Sequence, residues 1–224
     1  MELLTLSNTK TLKGQAQGYM TWIMHLSPAD SAGHKTVCPK ASDGCKAACL
    51  NYAGRGQTNL VQKGRKRKTD WFFEDRKGFM EALVEDVRKA ILRSENKGFI
   101  PVFRLNGTSD ILWERIPVKG CNNIFDYYSG RQFYDYTKIV KRDTSIKNYH
   151  LTFSRSEDNI KDCFAAMNNG MNVAVVFKDV PDTFMNKTVI NGDENDLRFT
   201  DPKGVIVGLT AKGRARKDES GFVV

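Results

Sequence analysis

The chain has 224 residues, 40% of them hydrophobic and 27% charged, with a formal net charge of +9. Such values belong to a folded globular chain rather than a disordered one, and the length suits a single α/β domain over residues 1–224. No basic segment followed by an apolar core opens the sequence, and no apolar run approaches the ~18 residues of a membrane helix, so a cytoplasmic protein with no membrane contact is expected.

Gly18–Ser27 reads GYMTWIMHLS, an apolar and aromatic run bounded by Gly and Pro that predicts a buried strand. Pro28–Leu50 follows as a long loop rich in Gly, Pro, Ser and Asp, and loops of that length inside a domain are usually functional. Phe72, Phe79, Met80, Leu83, Val84, Val87 and Ile91 recur at three- and four-residue steps. That spacing predicts a helix over Thr69–Ser94, with Thr69 as N-cap and Gly98 as its stop. Strands are then expected at Phe99–Leu105, Phe133–Thr137, Tyr149–Phe153, Asn172–Phe177 and Val205–Leu209, with a helix at about Glu157–Asn169. Apolar strands separated by helical stretches point to a mainly parallel sheet, buried on both faces.

Five cysteines in a reducing compartment argue for metal or redox chemistry rather than a disulfide framework. Cys38, Cys45 and Cys49 stand on the long loop in the spacing C-x6-C-x3-C, while Cys121 and Cys163 lie apart. A structural zinc site uses closely spaced knuckles in two pairs, and no second pair exists, although His34 could complete a Cys3His site. Three thiols wrapped around a larger body suit a [4Fe–4S] cluster better, with Cys121, His34 or an open position at the fourth iron. The role expected of such a cluster is redox, acting on a small-molecule substrate or an electron-transfer partner.

Polar residues follow several of the strands, and in parallel sheets active sites gather at the carboxyl ends. Within RLNGTSD, Arg104 could clamp an anion and Asp110 could act as base or ligand, with Asn106 beside them; an Arg104–Asp110 pair ordering the loop is the plain alternative. Lys138 in YDYTK could be a further anion binder. Two basic runs, Lys63 with Arg65–Lys68 and Lys212 with Arg214, Arg216 and Lys217, suggest nucleic acid as an alternative partner, in a zinc-bearing binding or processing protein. The acidic stretch Asp193–Asp201 fails as a calcium loop; it reads as a turn salt-bridged to Arg198, with a looser divalent-metal site as the alternative. No phosphate loop, dinucleotide fingerprint or hydrolase elbow is present.

The run LSPADSAGHKTVCPKASDGCKAACLNYAGRG, with RLNGTSDILWE, YDYTK, TFSRSED and DENDLRFTDPKGVIVGLTAKG, resembles the bacteriophage gene product 88 family. That resemblance implies a phage-encoded protein of the host cytoplasm. A looser similarity to radical SAM enzymes implies a partial (β/α) barrel with the cysteine loop after its first strand, and S-adenosylmethionine at an open iron. The chain departs from that pattern, lacking the C-x3-C-x2-C spacing and a GGE-like segment.

Overall fold

The computed structural model describes residues 1–6, 13–33 and 36–224. Its elements run β1 (Leu4–Thr5), β2 (Tyr19–Met24), α1 (Asp43–Ala47), α2 (Asn59–Glu74), α3 (Arg76–Glu95) and β3 (Ile100–Arg104). After these come α4 (Ile124–Tyr127), β4 (Gln132–Thr137), β5 (Tyr149–Ser154), α5 (Ile160–Asn168), β6 (Val173–Phe177), β7 (Thr183–Phe184), β8 (Lys187–Asn191) and β9 (Ile206–Thr210). Short single-turn helices stand between them, at Leu50–Tyr52, Gly54–Gln57, Arg198–Thr200 and Gly213–Lys217 among other places.

The strands form one nine-stranded sheet in the order β1-β2-β3-β4-β5-β6-β9-β8-β7 among the described residues. Pairing from β2 through β9 to β8 is parallel, whereas β1 and β7 each pair antiparallel with their neighbour. The sheet is open, with β1 and β7 as its edges. The six central strands are the six runs expected from the sequence, and each lies beside its predecessor. The pairing establishes a mostly parallel α/β sheet; it does not establish the radical-SAM-like barrel.

Alternation along the strands divides the side chains between two faces. Met20, Trp22, Phe103, Phe133, Leu151, Phe153, Val173 and Val175 join Phe79, Leu83, Val84 and Val87 of α3 and Cys163 and Ala166 of α5 in one core. Val102 and Tyr134, on the opposite face, are covered by Leu197 and Phe199. The acidic stretch therefore folds over the sheet, where Arg198 pairs with Asp201 at 3.2 Å as a salt-bridged turn.

The long helix differs from expectation at its start. Thr69 lies inside α2, where its hydroxyl donates to Arg65 O and accepts from Ser27 N, so it anchors the loop after β2 instead of capping a helix. The helical run breaks at Asp75, whose backbone is non-helical and whose carboxylate accepts from Gly78 N to cap α3. Gly98, at φ +73°, ends the run as expected.

Candidate functional site at the carboxyl end of the sheet

The loop after β3 is built around Asn106. Its Oδ1 accepts from Ser109 Oγ, Ile111 N and Trp113 Nε1 at 2.8–3.0 Å, and its Nδ2 donates to Ile111 O. Every polar atom of that side chain is spent on holding the loop. Gly107 lies so close to β2 that a Cβ there would sit 2.5 Å from Met24 O, which is why glycine is required.

Asp110 is equally occupied. It accepts from Thr137 Oγ1 and Lys138 N at 2.8 Å and from Arg142 Nη1 at 3.0 Å, and burial pushes its carboxyl above the ordinary range. Arg142, fully buried, also binds Glu114 and donates to Tyr149 Oη at 3.0 Å. Tyr149 donates in turn to Asp135, which takes a second bond from Asn106 N. Burial raises the Asp135 carboxyl to about 7. Arg142, Glu114, Asp135 and Tyr149 form a connected polar network that reading the sequence missed, because each lies in an ordinary strand or loop context.

Arg104 and Asp110 do not pair with each other. Arg104 binds Asp196 at 2.9 Å and lies over the Tyr136 ring, on the face opposite Asp110's network. Lys138 donates to Ser154 Oγ at 2.8 Å beneath the Phe222 ring. Of the four residues expected to share a cavity, Asn106, Asp110 and Lys138 gather around the loop after β3, with Asp110 accepting from Lys138 N, while Arg104 lies on the other face of the sheet.

The cysteine loop overturns the metal expectation. Among the described residues, no group of three His, Cys, Asp or Glu side chains is placed to hold a metal ion. This rules out Cys38, Cys45 and Cys49 as the assembled ligand set expected for a [4Fe–4S] cluster or for zinc, and with it the iron–sulfur redox function. His34 lies outside the described residues. The thiols have other occupations. Cys38 accepts from Ala29 N at 3.3 Å and lies 3.7 Å from Thr108 O, and burial pushes its thiol up to about 12. Cys45 packs against Ala48, Ala211, Ala215, Phe222 and Val223. Burial raises the Cys49 thiol as well. Cys121 belongs to a separate bridge with Val118. Cys38 and Cys49, with their thiols raised by burial, stay protonated and behave as small apolar side chains, and Cys45 packs as one.

The same loop brings the basic runs together. Glu157 holds α1 by accepting from Gly44 N and Ser42 Oγ, both at 2.8 Å. Gln62 and Arg65 of α2 bind Asn51 and Gly56, which docks α2 onto the turns Leu50–Tyr52 and Gly54–Gln57. Against the first of these turns packs the Gly213–Lys217 turn, with the Arg214 guanidinium 4.9 Å above the Tyr52 ring. Residues 40–68 and 212–217 together hold twelve basic residues and one acidic residue, so the remainder of the chain is net −2. The whole positive charge of the protein is assembled on these packed segments. Within them Lys66 pairs with Asp70 and Lys212 with Asp193. Arg55, Lys63, Arg67, Arg214, Arg216 and Lys217 are exposed and have no acidic partner among the described residues.

No described helix is long and apolar enough to cross a membrane. The family described as Gene product 88 matches residues 2–224, and the chain belongs to it. No curated protein and no solved structure matches, so the looser likeness to radical SAM enzymes has no support.

Proposed function

We propose that this chain is a nucleic-acid-binding protein of the phage-infected cytoplasm. The observation that carries the reading is the packing of two basic segments, remote in sequence, against the same turns at residues 50–57, with six exposed cations that have no acidic partner among the described residues. Cations left without partners repel one another, and a polyanion that displaces their counterions relieves this. Lys138, close enough to Cys49 to act on it electrostatically, adds positive charge near the turn that begins at Leu50. Asn106 and Asp110 order the loop after β3, which is tied to the start of the cysteine loop by Asp110 N donating to Val37 O at 2.8 Å. A partial-barrel curvature, with helices outside and residues 195–201 inside, fits the sequential strand order.

The test is binding of a labelled oligonucleotide over a salt series. Six phosphate contacts predict a log–log salt slope of about −4 to −5. Lys63→Glu with Arg67→Glu should weaken binding at least tenfold, while Lys147→Glu, before the amino end of β5, should leave it unchanged. Binding that is flat with salt, or equally weakened by all three changes, would remove the reading.

A further inference from the structure

The basic face also carries apolar groups that phosphate binding leaves unexplained. Leu50 is 62% exposed and Leu60 is 80% exposed, the latter the most exposed large hydrophobic side chain described. Leu60, Lys63 and Arg67 follow one another at three- and four-residue steps along α2, so they share one side of that helix. Leu50 begins the turn that ends at Tyr52, and the Tyr52 ring carries the Arg214 guanidinium as a flat, charged lid. Each basic run thus carries its own apolar group: Leu60 beside Lys63 and Arg67 on the outer side of α2, and Leu50 with the Arg214–Tyr52 pair at the packed turns near Arg216 and Lys217.

Resting on the nucleic-acid reading above, we propose that the ligand of this face is single-stranded. Its unpaired bases would lie on Leu50, Leu60 and the Arg214–Tyr52 pair while Lys63, Arg67, Arg216 and Lys217 follow its phosphates. A duplex presents phosphates outward and buries its base faces in the stack, so leucines against it would meet only charged backbone. A single strand offers apolar base faces and phosphates side by side, and base stacking on aromatic or guanidinium planes is tolerant of sequence. Charge complementarity draws the strand in, and the leucines discriminate between paired and unpaired forms.

The experiment measures anisotropy of one labelled oligonucleotide, single-stranded and as its duplex, at matched salt. It uses the full chain and the Leu50→Ser/Leu60→Ser double variant, whose fold is checked by circular dichroism. The expected result is a preference of about tenfold for the single strand, most of it lost in the double variant, with duplex affinity and the salt slope unchanged. Equal affinity for both forms, a duplex preference, or a double variant that binds single strands like the parent would overturn the proposal and leave the nucleic-acid reading standing. Failure of both forms to bind at low salt would remove that reading itself. Displacement of the oligonucleotide by polyglutamate at equal charge concentration would point to an acidic protein partner and overturn both.

Discussion

Arg142 Nε donates to Glu114 Oε1 across 2.6 Å inside the protein, where the two side chains are 0% and 4% exposed. The same guanidinium reaches Asp110, Thr137 and Tyr149, so one cation fixes the loop after β3 to the ends of β4 and β5. Removing one partner of a buried pair leaves a charge with no solvent. Arg142→Met is expected to cost about 3–5 kcal/mol by urea denaturation. Glu114→Gln keeps an acceptor for the guanidinium and should cost less. A loss below about 1 kcal/mol in both variants would show that the network does not hold the loop.

A side chain at Gly44 would displace Ser220 Oγ and the Glu157 carboxylate that accepts from Gly44 N. A Cβ at Gly44 would lie 2.2 Å from Ser220 Oγ and 2.8 Å from both Glu157 carboxylate oxygens. Gly44→Ala should therefore cost about 1–3 kcal/mol despite alanine's better helix propensity. Thermal melting of Gly44→Ala, Glu157→Ala and the pair checks this. The single losses should fail to add, because the second change relieves a clash created by the first.

Asp135 supplies a pH dependence of known sign. Its carboxyl titrates at about 7 in the folded chain against an ordinary 3.8, because burial penalises the charged form. Between these values the folded chain keeps a proton that the unfolded chain has lost. The stability contributed by this group is full below about pH 4 and falls as pH rises through 7, at up to about 1.4 kcal/mol per pH unit. Asp201, raised to about 6, acts in the same direction, whereas His25 and His150, lowered to about 3 and 4, act oppositely. Asp135→Asn should make stability rise more steeply with pH than the parent's over pH 4–7. Parallel stability–pH curves for the two proteins would refute the assignment.

The buried thiols make two expectations checkable together. A chelator should leave the melting midpoint unchanged, because the described residues hold no metal ligand set. At pH 8, Cys38, raised to about 12, should be alkylated at least tenfold more slowly in the folded protein than in urea. Mass spectrometry of iodoacetamide-treated peptides reads the second. A midpoint that drops with chelator, or a Cys38 as reactive folded as unfolded, would contradict the geometry of the loop.

Much of the fold was legible because the central strands are apolar on both sides. Runs such as VAVVF and VIVGL can only be buried, and a parallel sheet is where both faces are covered. The regular spacing from Phe79 to Ile91 gave α3 for the same reason. The first half of α2 was not legible, since its basic run lacks a continuous apolar stripe; Gln62, Arg65 and Thr69 dock it by polar bonds to distant segments. The β7–β8 hairpin is exposed at the sheet edge and carries little apolar alternation to read.

The sequence by itself determined the charge of +9, the two basic runs, the order of apolar strands and the spacing of the thiols. Only the tertiary structure decided where those groups point. Spacing along a chain limits how near two side chains can come but does not set their direction, so Cys38 turns toward Ala29 N while Cys45 packs against the C-terminal residues. Arg214 meets Tyr52 because the chain after β9 returns over the loop that follows β2. That encounter depends on burial and hydrogen bonding summed over the whole sheet, which no local segment encodes.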